Sequence, residues 1–182
     1  MNDARIACND EFSVMLQSEI TVRLANADDF ECVRDLLRDG DRYHHAIGVF
    51  GVRSAPAEYA REAFVATLAS EAAAIFIGSR DGRPLGFARI AQVDAPGGRF
   101  HAVRTYAEVH EIVVAESARG TGIGADLMRA AEAWARSRNM TSLELNCFGE
   151  NPTARDFYTN LGFVESRIRF RQDLSARNGA HP

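Results

Sequence analysis

Arg119-Gly120-Thr121-Gly122-Ile123-Gly124 joins an apolar strand-like run, Val109–Val114, to a helical pattern beginning at Ala125, and how this hexapeptide is read decides the fold. Three glycines let the backbone turn tightly and bring unshielded N–H groups close to a ligand, while the following helix aims its positive dipole end at the same point. The predicted guest is an anion, with phosphate the natural choice. A plain strand-to-helix turn is the alternative for a Gly-rich segment taken alone.

Working outward, the helix from Ala125 to Arg138 places Leu127, Met128, Ala131, Trp134 and Ala135 on one side and Arg129, Glu132 and Arg136 on the other, so it lies against a sheet. Ser142–Phe148 reads as a strand, Pro152–Leu161 as a short helix stopped at Gly162, and Phe163–Leu174 as a final hairpin-like or long-strand segment. Upstream, Ala73–Ser79 and Leu85–Val93 flank Arg80-Asp81-Gly82-Arg83-Pro84, which predicts a hairpin, and the long strand Tyr106–Val114 follows. Ile20–Leu24 alternates as a first strand. Asp28 or Asp29 caps a helix carrying Phe30, Val33, Leu36 and Leu37, and Gly40 is expected to end it. Asp41–Pro56, with Tyr43, His44, His45 and Phe50, reads as a loop before a second helix from Ala57 to about Ser70.

The resulting order, β-α-α-β-β-β-α-β-α-β, predicts an α/β (α+β) fold with a mixed sheet, hairpins first and a βαβ crossover later. A dinucleotide fold would place its glycines after the first strand, whereas here they fall in the second half. All 21 basic residues are arginine. With no lysine, the turn is not a GxxxxGK[ST] nucleotide loop, and Schiff-base chemistry has no residue to use.

The 182 residues, 46% of them hydrophobic, suit one domain over 19–174, with an N-terminal extension at 1–18 and a C-terminal tail at 175–182. A net charge of −4 and scattered arginines argue against a nucleic-acid footprint, leaving mild acidity that favours a cationic partner such as an amine. The apolar runs are shorter than a membrane span, and Asp3, Asp10, Glu11 and Glu19 take the place of a basic–apolar leader, so a cytoplasmic protein without membrane contact is expected. Cys8, Cys32 and Cys147 form an odd set without CxxC and read as reduced and mostly structural. No His/Cys/Asp spacing suggests a metal site, and no Gly-x-Ser-x-Gly elbow is present.

Two segments together resemble the GNAT superfamily of acyl-CoA-dependent N-acyltransferases. Arg119, Gly122 and Gly124 match its [RQ]-x-x-G-x-[GA] pyrophosphate loop, and Asn151–Phe163 resembles its N-x-x-A-x-x-F-Y-x-x-L-G-F segment. The close resemblance covers Val109 to about Val164. It implies a mostly antiparallel mixed sheet flanked by helices, with a parallel pair, Val109–Val114 and Ser142–Phe148, that splays beside a β-bulge. It also implies acetyl-CoA as co-substrate and an amine as acceptor; a homodimer is compatible with it.

On this resemblance the pyrophosphate lies on the amides of Arg119, Gly120, Thr121, Gly122, Ile123 and Gly124. The pantetheine arm runs along the main chain of Ile112, Val113 and Val114 like an added strand. Asn151 matches the residue that hydrogen-bonds that arm; standing before Pro152, it is equally a good N-cap, and one side chain can do both. Tyr158 matches the tyrosine that protonates the departing thiolate, its alternative being a half-buried core tyrosine.

Glu111 is the leading base for the amine, because on a regular strand it shares its face with Val109 and Val113; a salt-bridged or solvated edge residue is its alternative. Glu108 and His110, on the opposite face, are runners-up should a bulge reverse the faces. His44 and His45 are candidates for acceptor contact or a solvated loop pair. A backbone N–H near Val114 would meet the oxyanion of direct attack in a ternary complex. The competing readings are a non-catalytic acyl-CoA-binding regulatory module, a nucleotide-phosphate enzyme and a structural interaction domain.

Overall fold

A computed structural model describes residues 19–55, 58–100, 102–172 and 174. Five strands form one sheet in the order β1-β2-β3-β4-β5: β1 (Ile20–Leu24), β2 (Ala73–Arg80), β3 (Arg83–Ala95), β4 (Arg104–Val114) and β5 (Leu143–Leu145). The first four pair antiparallel, and β4 pairs parallel with β5, which gives the mixed, mostly antiparallel sheet the sequence predicts. Helices α1 (Phe30–Ala46) and α2 (Arg61–Leu68) cover one face, and α3 (Ile123–Ser137) and α4 (Pro152–Asn160) lie on the other.

Strand β2 is buried on both faces, which is why it reads as an unbroken apolar run. Ile75 and Ile77 meet Phe30, Val33, Leu36, Phe64 and Phe87 beneath α1 and α2. Phe76, Ala88, Ile90, Ala107 and Val109 meet Ile123, Leu127, Met128, Ala131 and Trp134 of α3. At the entry to α1, Asp29 is buried; it accepts two 2.7 Å bonds from Arg23 and one from the Asn26 N–H at 2.8 Å, closing a capping box with Asn26.

Several expectations change. Gly40 does not end α1, which continues to Ala46 and turns off at Gly48, whose φ is +76°. A Cβ on Gly40 would lie 3.4 Å from Val113 Cγ2, so this glycine sits mid-helix where α1 packs on β4 and not at a helix end. His44 and His45 therefore stand in the last helical turn, not in a loop. The second helix is shorter than read, beginning at Arg61, with Pro56 and Ala57 outside the described residues. The expected strand at Ser142–Phe148 contracts to Leu143–Leu145, and residues 163–172 of the expected segment Phe163–Leu174 join no strand among the described residues.

A cross-strand pair of glycines, Gly78 and Gly86, sits beneath the start of α3. A Cβ on Gly78 would fall 2.8 Å from Ile123 Cγ2, and one on Gly86 would fall 2.9 Å from the Val113 carbonyl oxygen. The sheet thus lowers its surface where the N-terminus of α3 must come down, and this fixes the position of the Gly-rich turn.

Candidate active site

The turn after β4 is built by backbone conformations that favour glycine: φ is +72° at Gly120 and +98° at Gly122, the residue just before α3. The first bond into the helix runs from Asp126 N–H to Gly122 C=O, and the N–H groups of Gly120 to Ala125 find no protein acceptor among the described residues. Ile123 is fully buried and pins the turn, while Gly124 lets α4 approach, since a Cβ there would stand 3.2 Å from Phe157 Cζ. The result is a run of free donors at a helix N-terminus.

Parallel pairing of β4 with β5 ends at Val109 with Leu145, and beyond it the strands separate. Asn146 Nδ2 donates to Glu108 Oε1 at 2.8 Å at the point of separation. Ala115 N–H bonds Leu85 C=O at 2.8 Å, so the alternation of an antiparallel ladder turns the N–H and C=O of Val114, and of Ile112, away from β3 toward the open slot. Val114 C=O there accepts from Arg119 Nε at 3.4 Å. Val113 turns its polar groups inward to β3, so the open edge consists of Ile112 and Val114.

Across the slot stands Asn151, buried, whose Oδ1 caps α4 by accepting from Ala154 N–H at 3.1 Å and also accepts from the Tyr43 hydroxyl at 3.4 Å. The Arg119 guanidinium lies over the Tyr43 ring at 4.6 Å, and His44 meets Phe148 edge-on at 5.2 Å. The end of α1 therefore bridges the Gly-rich turn and the start of α4. Burial lowers the His44 pKa, favouring a neutral imidazole, while His45 is exposed.

Tyr158 packs against Phe157 and Phe163. Burial, with a smaller contribution from Cys147, pushes its pKa up to about 12, so its phenol holds its proton throughout the physiological range. Burial raises the Cys147 thiol as well.

Glu111 departs from expectation. Ile90 pairs with Val109 and Arg89 with Glu111, so His110 is the extra residue of a β-bulge. The bulge separates Glu111 from the Val109 face and turns it, with Val113 and also Glu108, toward α1 and α2. There both carboxylate oxygens accept from Arg89, Oε1 from Nη2 at 2.7 Å and Oε2 from Nε, in a pair that is about one-third exposed. Tyr59 stands near enough to feel both charges. Glu111 is thus an ion-paired carboxylate, not one in apolar company.

The fold brings together Ile112, Val114, Arg119–Gly124, Asn151 and α4 with Tyr158. Sequence reading missed Tyr43, Arg89 and Arg80, the last of which donates to Thr121 C=O at 3.1 Å. Helical continuation through Gly40 would have placed Tyr43 one turn from the chain's exit. Arg89 needs the bulge register, which has no local signal.

Comparison with known proteins accords with this geometry. The model of the acetyltransferase (GNAT) family matches residues 35–163. An uncharacterized N-acetyltransferase of Methanocaldococcus jannaschii is 34% identical over 98 residues, covering 51% of this chain and 40% of that protein, so the chain spans less than half of its relative's length. A mutant of the BH1408 protein of Bacillus halodurans has the same fold, with a TM-score of 0.79 at 22% identity over 85% of this chain and 99% of the other. The aminoglycoside N-acetyltransferase AAC(6')-Iy in complex with CoA matches with a TM-score of 0.65 at 22% identity, over 88% and 99% of the two chains. With the family model spanning most of its length, and the Gly-rich turn and Asn151–Phe163 both inside the match, the chain belongs to the acetyltransferase (GNAT) family.

Proposed function

We propose that the protein transfers an acetyl group from acetyl-CoA to a primary amine by direct attack in a ternary complex. The observation that carries this reading is the run of unbonded N–H groups from Gly120 to Ala125 at the mouth of the β4–β5 separation. These donors suit a pyrophosphate. The open polar groups of Ile112 and the second lone pair of the Val114 C=O suit the amides of a pantetheine arm, and Asn151 Nδ2 remains available while Oδ1 caps α4. When bound, acetyl-CoA supplies an acyl group activated as a thioester.

The roles of the remaining residues follow from their chemistry. Val114 N–H, turned into the slot, is the donor for developing negative charge on the acyl oxygen. Tyr158 is the proton donor to the leaving sulfur, and with a pKa raised to about 12 it keeps that proton available. Glu111 accepts the amine proton through water, using the lone pairs that Arg89 leaves free, while Arg89 fixes its direction. The test is CoA release from acetyl-CoA across a panel of primary amines, beside the melting temperature with saturating CoA. Amine-dependent release with a raised melting temperature is expected. Stabilisation by CoA without release on any amine would replace this reading with a binding module, and no stabilisation would reject the CoA site.

A further inference from the structure

We propose that Arg80 is a positioning residue that sets affinity for the pyrophosphate end of CoA by fixing one peptide plane of the Gly-rich turn; this rests on the CoA reading above. Arg80 is the last residue of β2, paired with Ile20 on one side and Arg83 on the other, so its side chain starts from a fixed backbone. Its Nη2 donates to Thr121 C=O at 3.1 Å, and its Nε is buried without a partner among the described residues.

Thr121 lies between Gly120 and Gly122, two residues whose backbones are free to rotate. Because the peptide is trans, the Thr121 C=O and the Gly122 N–H point in opposite directions. Holding the carbonyl toward Arg80 therefore aims the Gly122 N–H away from the sheet, to the side of the other free donors. A flip of this one plane would present a carbonyl oxygen to an anion. The Thr121 hydroxyl, donating to Ala118 C=O at 2.6 Å, anchors the other side of the same residue.

Charge points the same way. The chain has no lysine, and Arg119 is engaged with Tyr43 and Val114 C=O. Arg80 is the cation held against the turn from the sheet side. Its half-buried guanidinium adds a fixed positive charge beneath donors that already favour an anion.

The test compares CoA with pantetheine, which lacks the pyrophosphate, by calorimetric titration of the parent, Arg80→Met and Arg80→Lys. Arg80→Met is expected to weaken CoA by roughly tenfold or more while leaving pantetheine unchanged, as loss of a charge-assisted hydrogen bond implies. Arg80→Lys is expected to fall between, keeping the charge but not the fork geometry. It carries the test by itself if Arg80→Met does not fold. Unchanged CoA affinity in both variants, or equal weakening of CoA and pantetheine, overturns the proposal. Failure of the parent to bind CoA overturns the underlying cofactor reading instead.

Discussion

Replacing Gly78 by alanine tests whether the sheet is lowered to seat α3. The new methyl would lie 2.8 Å from Ile123 Cγ2 and 3.3 and 3.4 Å from Leu127 Cγ and Cδ1. Carbon atoms rest about 3.5–4.0 Å apart, so the first contact is short by about 1 Å. Ile123 and Leu127 are both fully buried, and Ile123 Cγ2 is carried on a branched Cβ next to the helix backbone, so the first turn of α3 is expected to lift from the sheet. Overpacking of this kind costs about 1–3 kcal/mol. In a domain of this size each kcal/mol is worth about 2–4 °C, which gives a fall of roughly 2–12 °C in melting temperature. Gly98→Ala is the matched control, since a Cβ there meets nothing within 4 Å among the described residues and its φ is not positive. Melting followed by circular dichroism without ligand gives the stability, and CoA titration then reports whether the free donors have moved. A Gly78→Ala protein that melts at or above the parent temperature and binds CoA equally well would refute the argument.

Further outcomes follow from the same structure. Tyr158→Phe should lower turnover by about 10²-fold or more with little change in acetyl-CoA affinity, and unchanged turnover would remove its role as acid. Because the Tyr158 pKa is raised to about 12, its proton is not lost between pH 7 and 10; a fall in rate across that range that disappears in Tyr158→Phe would contradict the assignment. Glu111→Gln should lower turnover with little change in acetyl-CoA affinity, and turnover equal to the parent would reject it as the base. Asn151→Ala removes the α4 cap and the Tyr43 contact together, so a stability loss of about 1 kcal/mol, read by urea unfolding, is expected along with weaker pantetheine binding. Arg23 holds the Asp29 pKa below its ordinary value, which adds stability above the unfolded carboxylate pKa and loses it as pH falls through the lower folded value. Asp29→Asn should therefore reduce stability at neutral pH and flatten its dependence below about pH 4; an unaltered acid limb would count against this pair.

The parts of the site that were legible in the sequence are those whose conformation is local. Gly120 and Gly122 adopt positive φ because their own residue type permits it, and Asn151-Pro152 caps and starts α4 through bonds three residues long. The Asp81-Gly82 turn likewise set the β2–β3 hairpin from within. Gly40 was misread because a glycine that ends a helix and one in mid-helix against a strand look the same until Val113 is placed against it. Residues 163–172 carry an alternating pattern without an adjoining strand among the described residues, and a pattern gives the faces of a strand but not its neighbour.

The sequence by itself determined the Gly-rich turn, the capped helix after it, the mixed-sheet order and the family, because glycine conformation, capping and hydrophobic period act over a few residues. Only the tertiary structure decided which way the site's side chains face. One extra residue, His110, reversed Glu111 and joined it to Arg89, 22 positions away. Uninterrupted packing of α1 carried Tyr43 across to Asn151, 108 positions away. Pairings this distant depend on strand register and helix seating, which arise from the whole core rather than from the residues that make the contact.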